Sequence, residues 1–189
     1  MIREATIDLV AENGLENFTT KKAAALIDIS EGSIFNNYPN KVALLTDCLY
    51  SIDSEIDEVL KSIPLRLNAF TSYVHDLWYA YFHFLISNGN KAKFYLQFRH
   101  SSYYTDEVIT GQDKSFQFFS NFLRNHSSIL KTKSDIFWVF MIETTLNFAI
   151  RVVDERLQSD DKSIDAMYDL IIHGISSIIR PKFTYKDGF

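Results

Sequence analysis

Only six glycines and three prolines interrupt 189 residues, and between them the apolar residues recur at intervals of three and four rather than two. A chain so seldom broken, with that period, is expected to be all-α. Ala5, Leu9 and Val10 open the first stripe, which stops at Asn13-Gly14, a helix end where glycine takes the left-handed backbone. Thr19 is placed to cap a short helix running to about Ile27. Asp28-Ile29-Ser30 then makes a tight turn, and Ser30 caps a second short helix over residues 31–37. Pro39 closes it, having no amide donor and disfavouring helical geometry in the residue before it. Asn40 caps a long helix over residues 41–61.

Aromatic residues become dense beyond Pro64, and the domain boundary is expected inside the long helix, giving domains of residues 1–50 and 51–189. Further helices are expected over residues 68–86, 91–100 and 113–125, with an undecided segment at 103–109. Ser134 and Ser163 look like caps for two closing helices, 135–157 and 164–179. Tyr73, Leu77, Tyr81 and Leu85 form one face of the 68–86 helix, and Trp78 and Phe82 form a second. A helix apolar nearly all round is a buried one.

With 47% apolar residues the chain is neither disordered nor collagen-like, and a formal charge of -5 excludes a broadly basic protein without excluding a local basic surface. One cysteine, Cys48, allows no internal disulfide or Cys-rich metal site and points to a reducing compartment. The uncharged run from Leu77 to Asn90 is shorter than the ~20 residues of a spanning helix, and the first ten residues lack a signal-peptide pattern. A soluble, cytoplasmic protein without a membrane partner is expected. Enzyme signatures are missing: there is no Gly-rich phosphate loop, HExxH or G-x-S-x-G, and the five histidines are scattered. No catalytic residue, metal or cofactor is expected.

Two short helices joined by a three-residue turn, with one helix before and a long one after, make a helix-turn-helix unit, which places its second short helix in the DNA major groove. Here Gly14, Thr19, Ala24, Ser30, Gly32, Ser33, Ile34, Phe35, Tyr38, Pro39 and Lys41 resemble the TetR family of transcriptional regulators. The string SEGSIFNNYPNK, Ser30 to Lys41, is similar without a gap to that family's recognition helix and the start of its fourth helix. The matching region is about a quarter of the chain. Beyond residue 60 the likeness is only architectural.

Thr19, at a helix N-terminus with Lys21 nearby, suits a phosphate oxygen. The resemblance implies that Ser33, Asn36, Asn37 and Lys41 also touch the DNA backbone, and that Glu31, Gly32 and Phe35 face base edges. Glu31 could accept from a cytosine amino group, and Phe35 could lie against a thymine methyl. Glu31 stands where the family usually carries a basic or polar residue, Phe35 where it usually carries tyrosine, and Asp28 at a turn position commonly held by glycine. Residues 1–50 hold four basic side chains (Arg3, Lys21, Lys22, Lys41) against seven acids (Glu4, Asp8, Glu12, Glu16, Asp28, Glu31, Asp47), a local charge of -3.

The resemblance further implies a homodimer on double-stranded operator DNA, with the last two helices forming the dimer contact. Ile164, Met167, Ile171, Ile175 and Ile178 would complete its seam, and the 135–157 helix, apolar on two faces, would need two partners. Glu143 interrupts one of those faces. A carboxylate there must be paired or protonated. It is either an orienting group in an effector pocket walled by Trp78, Phe82, Phe98 and Phe140, with Asn147 close by, or a partner of Arg99 or of a cross-dimer group. The function expected is that of a ligand-responsive regulator, a repressor released from a pseudo-palindromic operator by a small lipophilic or aromatic effector. The alternative is a dimeric helical interaction protein of the same fold with weak or lost DNA binding.

Overall fold

The computed structural model describes residues 1–66, 69–118, 121 and 134–176, and every regular element among them is helical. The elements are α1 (Ile2–Asn13), a 3-10 turn (Leu15–Asn17), α2 (Thr20–Leu26), α3 (Glu31–Phe35), α4 (Lys41–Lys61), α5 (Phe70–Ser87), α6 (Gly89–Arg99), α7 (Asp106–Ser115), α8 (Ser134–Val153) and α9 (Asp161–Ser176). They form two compact units, residues 1–57 with 88–115, and residues 58–87 with 116–189; the division falls inside α4.

In the first unit, α1 ends at Gly14, whose φ of 87° and ψ of 147° suit only glycine. Gln97 of α6 secures this bend, accepting from the Leu15 amide (2.8 Å) and donating to the Val10 carbonyl (3.0 Å). Asn90, at the other end of α6, donates to Asp8 of α1 at 2.8 Å. The core gathers Val10, Phe18, Ile34, Leu44, Leu45, Leu49, Ile52, Phe94 and Phe98, all essentially inaccessible to solvent. Cys48 also lies there, and burial pushes its thiol pKa up, as in a small apolar residue rather than a reactive thiol.

In the second unit, Tyr73, Trp78, Phe82 and Leu85 of α5 are buried, as are Thr145, Leu146 and Ala149 of α8 and Ile164, Met167, Tyr168 and Ile171 of α9. Trp78 stacks on Phe82 (5.1 Å between centroids, 13° between planes) and donates its indole N–H to the Thr145 hydroxyl at 2.8 Å. That bond satisfies a buried donor which would otherwise cost about 1–3 kcal/mol.

Several boundaries differ from the sequence expectation. The segment read as undecided opens α7, which runs from Asp106 to Ser115 rather than beginning at 113. Asp106 and Glu107 in its first turn complement the helix dipole. Residues 119, 120 and 122–125 of the expected helix lie outside the described residues. Ser134 is helical instead of preceding the helix, and α8 stops at Val153. α9 starts earlier than Ser163 because Asp160 supplies the cap, accepting from the Ser163 amide (3.1 Å) and hydroxyl (2.8 Å).

The seam expected on the last helix also differs. Ile164, Met167 and Ile171 pack inside the unit, whereas Leu170 is 68% exposed; on α8, Ile136, Val139 and Phe140 are exposed at i, i+3 and i+4. The Ile175 side chain and Ile178 lie outside the described residues. Apolar periodicity marks both faces of α9 and cannot tell which one its own unit occupies. No described helix is long and apolar enough to cross a membrane.

Candidate functional site

The turn between α2 and α3 is built by its own backbone bonds. Thr19 caps α2, its hydroxyl accepting from the Lys22 amide at 3.2 Å. At the other end, the Ile29 amide reaches the Ala24 carbonyl (3.0 Å) and the Asp28 amide reaches Ala25 (3.4 Å). This is the double bond pattern of a helix ending in a left-handed residue. Asp28 takes that conformation with φ 55°, which aspartate tolerates better than most residues. Ser30 then caps α3, accepting from the Ser33 amide at 3.1 Å. Ile34 is wholly buried beneath α3. Tyr38 fixes the exit from α3 by donating to Asp47 of α4 at 2.8 Å, and Arg3 of α1 pairs with the same carboxylate oxygen at 3.2 Å. Burial, reinforced by that bond to Asp47, pushes the Tyr38 phenol up to about 12.

The side chains singled out for DNA contact fall into two groups. Glu31 accepts from Thr20 of α2 at 2.5 Å, Ser33 shares a hydrogen bond with Ser30 at 2.8 Å, and Asn37 folds back to the Ser33 carbonyl at 2.9 Å. Lys41 donates to the Phe18 carbonyl at 2.7 Å and lies over the Phe18 and Tyr103 rings. These four are engaged within the unit. Lys21, Gly32, Phe35 and Asn36 are exposed, and so is Thr19 apart from its cap.

The six residues singled out for an effector fall in both units. Trp78 and Phe82 lie stacked in the second unit, whereas Phe98 belongs to the first, stacked on Phe94 at 5.9 Å. Phe140 and Asn147 are exposed on α8; Glu143, between them on the same stripe, is half-buried, and its backbone carbonyl accepts from the Asn147 side-chain Nδ2 at 2.8 Å. Arg99 directs its guanidinium within the first unit, to Tyr104 (2.7 Å) and Gln112 (3.3 Å).

A buried polar chain in the first unit escaped the sequence reading. Arg99 donates to the Tyr104 hydroxyl, which donates to the Gln112 carbonyl oxygen (2.6 Å). The Gln112 amide nitrogen donates to Tyr95 (2.9 Å) and to both oxygens of Asp53 (2.9 and 3.0 Å), and Tyr95 donates to Asp53 at 2.7 Å. The glutamine dipole thus lies oriented between a cation and an anion, tying α4, α6 and α7 together. Burial pushes the Asp53 carboxyl up to about 6, while the Tyr95 and Gln112 bonds and Arg99 pull the other way. The clue was present in sequence: Asp53 interrupts the stripe Leu45, Leu49, Ile52, Ile56 much as Glu143 interrupts its own. Among the described residues no group of three or more His, Cys, Asp or Glu could hold a metal ion.

No protein-family model matches the chain, and no curated protein does. Solved structures do match in fold. A TetR family transcription regulator from Marinobacter aquaeolei VT8 superimposes with a TM-score of 0.80 at 16% identity, over 94% of this chain and 93% of that one. A TetR-family transcriptional regulator from Haemophilus influenzae Rd gives 0.72 at 19% identity, over 95% and 94%. The fatty acid degradation regulator FadR from Bacillus halodurans gives 0.66 at 15%, over 92% and 97%. The chain therefore has the all-helical fold of these regulators along nearly its whole length.

Proposed function

We propose that this chain is a DNA-binding transcriptional regulator of the TetR type, which occupies a pseudo-palindromic operator as a homodimer and leaves it when a small lipophilic or aromatic effector binds. The observation that carries the reading is α3: a short helix, capped at its start and pinned beneath by Ile34, with Gly32 and Phe35 facing outward. Residues 1–50 bind DNA in this reading, and residues 51–189 serve the effector and the dimer. Thr19 and Lys21 take phosphates, Ser33, Asn36 and Asn37 flank the groove, and Lys41 seats the start of α4. Gly32 and Phe35 meet the bases, with Glu31 holding α3 against α2 through Thr20.

Val139 and Phe140, on one face of α8, and Leu170 of α9 form the dimer contact, since exposed apolar side chains are costly to leave in water. The aromatic interior around Trp78 and Phe82 suits a lipophilic effector, and the FadR of Bacillus halodurans, similar in fold, is a regulator of fatty acid degradation. A typical coupling of ~1–3 kcal/mol between the two ligands would loosen operator binding by roughly 5- to 150-fold. Nothing in this reading requires a catalytic step.

The test is a mobility-shift titration of purified protein on the DNA flanking its own gene, at two salt concentrations, with unrelated DNA as competitor. Specific, salt-sensitive binding by a dimer is the expected result. Binding no better than to the competitor at low salt would favour a dimeric interaction protein instead, a reading supported by the charge of -3 over the first fifty residues.

A further inference from the structure

We infer that the DNA specificity of this chain rests on an apolar contact: Phe35 packs against thymine methyl groups in the major groove, and the bare backbone at Gly32 lets α3 approach the base edges. This rests on the regulator reading and adds the chemistry by which that face tells one sequence from another. Three hydrogen-bonding side chains of α3 and its exit are turned inward or along the helix, Glu31 to Thr20, Ser33 to Ser30 and Asn37 to the Ser33 carbonyl, while Asn36 at the C-terminal end stays exposed. Gly32 and Phe35, three residues apart, share the outward face, and Phe35 is 46% exposed.

Nothing in the fold demands glycine at position 32. Its φ is not positive, and an added Cβ would meet only the Ser30 hydroxyl, at 3.6 Å. The space above it is therefore open to a ligand. A phenyl ring offers no donor or acceptor for a base edge, and thymine is the base that presents an apolar group, its C5-methyl, in the major groove. Burying one methyl is worth about a fourfold gain in affinity, or about 15-fold with one in each half-site of a dimer.

The test begins with operators selected by the full-length protein from random duplex DNA. Each thymine is then replaced by uracil, which keeps the base pair and removes only the methyl. Wild-type protein is expected to lose about fourfold for each contacted methyl, and Phe35→Ala to be indifferent to the same replacements. Gly32→Ala, whose methyl the fold accommodates, is expected to weaken operator binding with an unchanged circular dichroism spectrum. A uracil penalty equal in wild type and Phe35→Ala, or absent from wild type at every position, overturns the inference and leaves the regulator reading standing. Failure to enrich any duplex at low salt overturns that reading and the inference with it.

Discussion

The buried Asp53 carboxylate makes the first unit lose stability as pH rises through the mildly acidic range. Its pKa stands at about 6 against an ordinary 3.8, chiefly because burial disfavours the charge. Between those values the folded protein holds a proton that the unfolded chain has released, so stability declines with rising pH. Below about 3.8 both states are protonated and the penalty is absent; above about 6 it is complete. The interval corresponds to about 3 kcal/mol, of which about 2 kcal/mol develops between pH 4 and 7.

Asp53→Asn keeps the size and removes the titration, so the stability difference between variant and wild type isolates this group from all others. That difference is expected to move in the variant's favour by about 2 kcal/mol from pH 4 to pH 7, whatever its value at either end. Urea unfolding followed by far-UV circular dichroism measures it, at one protein concentration because the stability of the proposed dimer would depend on concentration. Trp78 and Trp138 both belong to the second unit, so tryptophan fluorescence does not report on this site directly. A difference independent of pH, or one moving toward wild type, would refute the reasoning that burial outweighs the Tyr95, Gln112 and Arg99 contacts.

Four other expectations follow from named contacts. Lys21→Ala is expected to make the log-log salt slope of operator binding shallower by about 2 per dimer, whereas Lys41→Ala, which loses the bond to Phe18, should cost about 1 kcal/mol of stability and leave the slope unchanged; salt titrations and urea melts separate the two. Gly14→Ala forces a side chain into a backbone region that only glycine adopts readily and should destabilise by about 1–3 kcal/mol in urea. Thr145→Val strands the buried Trp78 N–H and should cost about 1–3 kcal/mol, followed by tryptophan fluorescence, with Trp78→Phe in the valine background giving part of it back. Val139→Glu with Leu170→Glu should shift sedimentation from dimer to monomer, since each places a charge on an apolar contact.

The helical class, the caps at Thr19, Ser30 and Asn40, and the turn at Asp28 were legible because each is set by local chemistry: a hydroxyl or amide before an apolar run, a glycine or proline after it. Ser30 and Asn40 accept from the Ser33 and Ala43 amides, as the sequence pattern requires. The start of α7 was missed although Thr105, a capping residue type, stands before Asp106 and Glu107; the segment ahead of it is held by the bond of Tyr104 to Gln112. The destination of long polar side chains was not legible. Lys41 and Glu31 are recognisable as residue types in a DNA-contact motif, yet their partners, Phe18 and Thr20, lie 23 and 11 residues away. Spacing cannot report such pairings.

The same partners bear on the acidity of the first fifty residues, which sits badly with phosphate binding if all seven acids face outward. They do not act as seven free charges. Asp8 is held by Asn90 of α6, Asp47 takes both Arg3 and Tyr38, and Glu31 takes Thr20. These three of the seven are thereby engaged in contacts of α1 with α6, of α4 with α1 and the exit of α3, and of α3 with α2. Glu4, Asp8 and Glu12 follow one another at i, i+4 and i+8 on α1, and Asp8 marks that stripe as the side toward α6. In the proposed reading, the charge that bears on phosphate binding is that near α2 and α3, where Lys21 and Lys22 are exposed, Glu31 is tied back and Asp28 remains exposed in the turn. Net charge summed along a sequence cannot distinguish these cases; what distinguishes them is which acids already have a donor inside the fold.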